Sequence, residues 1–151
     1  MKLAEALAER SDCQTRIEEL KKRLTRTARV QEGEKPAEAP AELLAELDRL
    51  FKRLLELVQA INRTNSRTFG DEGSSIADLI AERDLSAKKR EALTALAEAA
   101  STRQDRYSKS EVKFVSTVAV GDVQRDADAL AKRYRELDTK IQEMNWKTEL
   151  V

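Results

Sequence analysis

The chain has 151 residues, of which 37% are charged, and its 28 Lys and Arg residues balance its 28 Asp and Glu residues. The balanced charge excludes the strongly basic footprint of a dedicated DNA-binding domain. The absence of histidine excludes Ser-His-Asp triads, HExxH zinc sites and Glu-x-x-His di-iron sites. The composition leaves carboxylate-only Mg²⁺ or Mn²⁺ chemistry open. No EF-hand spacing appears, however, and we predict no metal site and no cofactor.

Four glycines and two prolines among abundant Ala, Glu, Leu, Lys and Arg favour long helices. We therefore expect a mainly all-α protein, with residues 1–151 forming a single helical domain. The N-terminal segment lacks the apolar core of a signal peptide, and no apolar run approaches the roughly 20 residues of a membrane span. With a single cysteine, Cys13, this composition predicts a cytoplasmic protein without a membrane span.

Apolar residues at three- and four-residue spacing predict the first two helices, over about 2–28 and 41–65. Helix one has one narrow stripe, typical of a coiled-coil contact: Leu3, Leu7, Arg10, Cys13, Ile17, Leu20, Leu24 and Thr27. Helix two has a first stripe of Leu43, Leu47, Leu50, Leu54, Leu57 and Ile61. Its second stripe consists of Leu44, Phe51, Leu55 and Val58. We expect helix two to be the most buried helix, packed on more than one neighbour.

Helix two ends in a polar segment, where Asn62 and Asn65 stand near the end of its apolar stripes. Buried amides need hydrogen-bond partners, so these side chains either cap the helix or line a polar pocket. Capping is the simpler role for Asn65. Arg63 and Arg67 add positive charge beside the two amides.

Helix three is predicted over 76–101, and Arg83 interrupts its apolar side. An inward-facing arginine needs a carboxylate or a helix end as its partner. Because Asp84 is expected to point elsewhere, we expect the partner of Arg83 on another helix.

The stretch that follows helix three is the only one whose pattern indicates an extended chain. Residues 103–113 hold four basic and two acidic residues, and β-branched and aromatic residues predict a short β-strand over 111–119. A lone strand cannot satisfy its own backbone, so we expect it to pair with a second protomer across a two-fold axis.

Helix four is predicted to begin near Gly121, with Asp122 as its N-cap. Its stripe is the most regular of the four: Val123, Ala127, Leu130, Tyr134, Leu137, Ile141 and Met144. Trp146 is expected to be a docking anchor. Together the four helices predict an elongated bundle with coiled-coil-like seams.

Several blocks are distinctive: Ile61-Asn62-Arg63-Thr64-Asn65, Ala81-Glu82-Arg83-Asp84, residues 103–113 and Asn145-Trp146-Lys147-Thr148-Glu149-Leu150. Over essentially the whole chain they resemble a bacterial family of short helical proteins that is often labelled septicolysin. The label implies a cytolysin, but the resemblance implies no established activity.

Three functions fit these observations. We prefer a structural or interaction protein that self-associates into a homo-oligomer through its helix seams and the 111–119 strand. The alternative is a nucleic-acid or anionic-ligand module built on segment 103–113, with candidate anion-binding residues Arg63, Arg67, Lys109 and Lys113. It is less favoured because a chain this rich in charge tends to have salt-bridged surfaces.

The third hypothesis is a small-ligand or enzyme site built on a network of Asn, Arg and Asp side chains. Its candidate residues are Asn62, Asn65, Arg83, Asp84, Arg103, Asp105, Arg106 and Tyr107. Without histidine, acid–base catalysis would fall to Asp84, Asp105 or Tyr107, so an enzyme is less favoured. Mutual support of buried Arg, Asp and Asn side chains is the simpler interpretation.

Overall fold

The structure is a computed structural model that describes residues 1–102 and 112–151. Most of these residues lie in four α-helices. They are α1, Leu3–Thr27; α2, Pro40–Arg67; α3, Ile76–Ser101; and α4, Val120–Lys147. The all-α prediction is confirmed. The chain divides into two compact units, one of residues 1–75 with 143–151 and the other of residues 76–142. That the whole chain acts as a single domain stays a prediction.

The β-strand predicted over 111–119 is wrong for the single chain, because residues 112–119 are irregular. Residue 111 lies outside the described residues. A strand needs a neighbour for its N–H and C=O groups, and the described residues form only isolated β-bridges, Lys2 with Glu149 and Phe69 with Ser75. Instead, Val118 N–H donates to Ser116 Oγ at 3.2 Å, and this hydroxyl donates to Val118 O at 2.6 Å.

The first unit is built on α1 and α2. The predicted stripe of α1 lies in the core, with buried Leu3, Cys13, Ile17, Leu20 and Thr27. The side of α2 that faces the core carries Leu43, Leu50, Leu57, Ile61 and Thr64. The seven-residue spacing of the three leucines is that of a coiled-coil seam, which keeps one side of each helix toward its neighbour.

Two ion pairs join α1 to α2, Glu9 with Arg53 and Arg16 with Glu46, and a third, Arg23 with Glu38, joins α1 to the connection just before α2. Their α1 members are seven residues apart, so they follow one line along that helix. Because the partners descend in number as the α1 residues ascend, α1 and α2 are antiparallel. We call these three pairs the α1–α2 ladder.

Both ends of the chain attach to the first unit. Leu3 N–H donates to Thr148 O, and Leu150 N–H donates to Met1 O, both at 2.9 Å. Val151 N–H donates to the hydroxyl of Thr64 at 3.0 Å, which ties the C-terminal segment to α2.

In the second unit α3 packs antiparallel to α4. The Glu82–Arg133 ion pair lies near the start of α3, and Leu93 shares a cleft with Leu130 further along. The apolar side chains buried in this unit include Ile76, Leu79, Ala97, Ala127, Ala131, Leu137 and Ile141. Part of the stripe predicted for α4 is therefore in the core.

Helix α4 begins at Val120, so the prediction of Asp122 as its N-cap is wrong. The N–H of Asp122 already donates to Ala119 O at 3.0 Å, inside the first turn. There its carboxylate forms an ion pair with Arg125. A negative charge in the first turn complements the helix dipole, so Asp122 favours the helix start without capping it.

No helix in the described ranges, 1–102 and 112–151, has the length and apolar character needed to cross a membrane.

Candidate functional site

Arg83 is the centre of the best-defined group of predicted site residues. Its Nη1 donates to Asp138 Oδ1 on α4 at 2.8 Å, which confirms the expected partner on another helix. Its Nε donates to Asp84 Oδ1 at 2.9 Å. The expectation that Asp84 points elsewhere is therefore wrong, because the long arginine side chain reaches the next carboxylate on its own helix as well.

Tyr134 lies one turn before Asp138, and its ring centroid is 5.9 Å from Cζ of Arg83, within cation–π range. Partial burial disfavours the charge on Arg83, but hydrogen bonds to Asp84 and Asp138 outweigh it and raise the pKa of the guanidinium. One cation thus faces two carboxylates and an aromatic ring. This arrangement is typical of a structural tie between helices, since the charge of Arg83 is already balanced.

The asparagines of α2 do not cap that helix. It continues to Arg67, and its C-cap is Thr68, whose N–H donates to Thr64 O at 3.0 Å. The capping role predicted for Asn65 is wrong, because α2 continues past this residue to Arg67. Asn65 is half-buried and Asn62 is exposed.

Thr64 is the polar residue that sequence reasoning missed in this region. It is fully buried; its hydroxyl donates to Ala60 O at 2.8 Å and accepts the N–H of Val151 at 3.0 Å. The signal was its position, seven residues after Leu57 on the buried stripe. A threonine there fills an apolar position while providing one acceptor for the C-terminal segment.

The candidate anion-binding residues are in different parts of the chain. Arg63 and Arg67 are exposed on α2 in the first unit, and Lys113 is exposed in the second. The candidates Arg103, Asp105, Arg106, Tyr107 and Lys109 lie outside the described residues. The third hypothesis required the residues between 103 and 107 to come together with Asn62, Asn65, Arg83 and Asp84. That requirement stays a prediction.

A charged cleft of about 570 Å³ lies where the α1–α2 connection meets the two helices. Its charged lining is of both signs: Arg23, Glu38, Glu42, Glu46 and Arg49. Hydrogen bonds from Arg23 hold the pKa of Glu38 below its ordinary value. Because Arg23 and Glu38 neutralise each other, the cleft has no strong preference for either charge. Within residues 1–102 and 112–151, no group of three or more acidic or cysteine side chains is placed to hold a metal ion.

The most unusual surface is the second stripe of α2. Leu44 is 51% exposed, Phe51 49% and Leu55 57%, while Val58 is half-buried. The expectation that α2 is the most buried helix, packed on more than one neighbour, is therefore wrong along its second stripe, which is largely exposed. Helix α1 covers the side of α2 with Leu50 and Leu57, and the second stripe lies about a quarter turn away. We call Leu44, Phe51, Leu55 and Val58 the α2 stripe.

The comparisons with known proteins agree on an uncharacterised family. The model of a family of unknown function, DUF6847, matches residues 10–150. The crystal structure of a functionally unknown conserved protein from Corynebacterium diphtheriae is similar, with 49% identity and a TM-score of 0.94. That match covers 100% of this chain and 99% of the other. No curated protein matches, and neither description mentions a septicolysin.

Proposed function

The chain belongs to the family of unknown function DUF6847, and we propose that it is a helical interaction protein that self-associates into a homo-oligomer. The α2 stripe is the observation that supports this function. Its members are spaced seven, four and three residues apart, the repeat of a coiled-coil seam. It extends about 21 Å along α2, since each residue advances a helix by about 1.5 Å.

An exposed stripe of this kind favours association because covering it removes apolar surface from water. Single exposed leucines are common on protein surfaces, but apolar side chains repeated at seam spacing along one side of a helix indicate an interaction site. The aromatic ring of Phe51 lies near the middle of the α2 stripe, and aromatic side chains contribute strongly at interfaces. Since α1 already covers the other side of α2, this stripe is available to a second molecule.

Further apolar side chains are exposed on the segment before α4. Phe114 is 83% exposed and Val115 81%. The predicted pairing of this segment between two protomers would cover both side chains and would satisfy its backbone groups. We include it in the proposal as a second contact. Trp146, 63% exposed, keeps its predicted role as an anchor within the same proposal.

Sedimentation velocity across the micromolar range tests self-association. We expect the weight-average mass to rise reversibly with concentration, because the contact is between copies. Phe51→Glu, which places a charge in the α2 stripe, should keep the protein monomeric. Leu85→Glu is the matched control, since Leu85 is 64% exposed on α3. A wild-type protein that stays monomeric throughout this range would refute the proposal.

Two alternative functions stay open beside this proposal, nucleic-acid binding and a small-ligand site. Arg63, Arg67 and Lys113 are exposed, as nucleic-acid binding requires, and that binding would weaken steeply with salt. The ligand-site alternative depends on Arg83, whose ties to Asp84 and Asp138 support a structural role instead. A cytoplasmic location and kinship with septicolysin-labelled proteins also stay predictions.

A further inference from the structure

We propose that the α2 stripe binds the same stripe of a second copy, antiparallel across a two-fold axis, and that Asp48 and Lys52 set the register. The inference rests on the proposed function, and it specifies the surface, the partner and the orientation. The observation behind it is the placement of two opposite charges, Asp48 in line with the apolar side chains of the stripe and Lys52 on its flank.

Asp48 occupies a position of the α2 stripe itself. It follows Leu44 by four residues and precedes Phe51 by three, which is where a coiled-coil seam places its next side chain. Lys52 lies on the flank of the stripe, one turn after Asp48. Both side chains are exposed, and neither has an ion-pair partner within residues 1–102 and 112–151.

Covering the stripe requires a cation opposite Asp48. A carboxylate taken out of water without a partner costs several kcal/mol, so an apolar partner surface does not suit this stripe. A suitable partner surface has apolar groups at the seam spacing and a positive charge beside them. The α2 stripe has both properties.

A two-fold axis between residues 49 and 50 brings these groups together. Residues 44 and 55 are equally far from that point, so Leu44 of one copy lies level with Leu55 of the second copy. Asp48 then lies about one residue, roughly 1.5 Å along the helix axis, from the level of Lys52 of the second copy. Because the contact is isologous, this ion pair forms twice.

The same charges disfavour the parallel arrangement. Two parallel helices in register place Asp48 beside Asp48 of the second copy, and like charges at a contact repel. The antiparallel register replaces this repulsion by an attraction between Asp48 and Lys52. The charge pattern therefore selects a second copy in one orientation.

Reciprocal charge reversal tests the register. Asp48→Lys leaves two positive charges on its stripe, and Lys52→Asp leaves two negative charges. We expect each variant alone to dissociate at least about tenfold more readily than the wild type, since the cross pairs become repulsive. Mixed in equal amounts, the two variants should form a heterodimer of near wild-type affinity, because both cross pairs are attractive again.

Two further proteins complete the experiment. The doubly exchanged chain, Asp48→Lys with Lys52→Asp, should regain the homodimer. Lys88→Asp, a matched charge change at an exposed position of α3, should leave association unchanged. Circular dichroism of each variant, with helix content equal to the wild type, shows that the loss of association is not a loss of fold.

The outcomes separate the two proposals. A wild-type chain that never associates refutes both. Association that Phe51→Glu abolishes, but that neither charge variant weakens, overturns the register and leaves self-association standing. Association that is insensitive to Phe51→Glu overturns the α2 stripe as the contact. Recovery in the mixture, and again in the doubly exchanged chain, supports the antiparallel contact.

Discussion

Glu9 accepts two hydrogen bonds from the guanidinium of Arg53, at 2.7 Å from Nε and 2.8 Å from Nη2, and this pair ties α1 to α2. The bidentate geometry makes the Glu9–Arg53 pair stronger than most surface ion pairs. Solvent limits its contribution, since the side chains of Arg53 and Glu9 are 42% and 34% exposed.

We expect Glu9→Gln to lower the free energy of unfolding by about 1 kcal/mol in urea titrations at low salt. Glu19→Gln is the matched control, because Glu19 is exposed on the same helix and has no ion pair within the described residues. Its effect should stay below about 0.5 kcal/mol. Added salt should reduce the difference in unfolding free energy between the two variants. Equal losses of unfolding free energy at low salt would contradict a stabilising role of the Glu9–Arg53 pair.

The free energy of unfolding should decline in acid because of the ion pairs of the α1–α2 ladder. Hydrogen bonds from Arg53 lower the pKa of Glu9, and those from Arg23 lower the pKa of Glu38, each from an ordinary value of 4.5. A carboxyl whose pKa is lower in the folded protein binds fewer protons there than in the unfolded chain. Its contribution to stability is therefore present above pH 4.5 and is lost as the pH falls through the folded pKa.

Urea titrations from about pH 7 to about pH 3 measure this dependence. Glu9→Gln removes one of the titrating groups, so its curve should fall less steeply than that of the wild type. A wild-type stability that is constant or rises below pH 4.5 would exclude a net contribution from the α1–α2 ladder.

The tie between Arg83 and Asp138 should be measurable as a coupling energy. In a double-mutant cycle with Arg83→Met and Asp138→Asn, we expect a coupling of about 0.5–1.5 kcal/mol, since the pair is partly shielded from water. Asp84→Asn provides the comparison, because Asp84 is 54% exposed against 38% for Asp138. Its coupling with Arg83 should be smaller. The reverse order would mean that the contact within α3, not the one between helices, carries the stability.

Removing the hydroxyl of Thr64 should loosen the C-terminal segment. Thr64→Val keeps the volume but leaves the N–H of Val151 without its acceptor, at a cost of about 1–2 kcal/mol in unfolding free energy. Hydrogen exchange at the amide of Val151 should also become faster. Thr64→Ser retains the hydroxyl, so it should preserve the slow exchange. Equal exchange rates in the two variants would show that this hydrogen bond does not hold the segment.

The helices could be predicted because their signals are local. Helix α3 has the bounds expected from its pattern, and the stripe of α1 that includes Ile17 and Leu20 is buried as expected. The ends of the helices were harder to predict, because polar residues there are compatible both with a cap and with further turns of helix. Helix α2 continues through Asn65 to Arg67, and α4 begins before Asp122, because a cap depends on the path of the neighbouring chain.

The sequence by itself determined the helical class, the approximate helices and the positions of apolar stripes, because hydrogen bonding within a helix and its periodicity depend on residues close in the chain. The tertiary structure alone decided which stripe of α2 is covered, that Asp138 is the partner of Arg83, and that Thr64 receives the N–H of Val151. It also showed that residues 112–119 form no strand in one chain. Each of these depends on which distant group comes near, and periodicity carries no information on that choice.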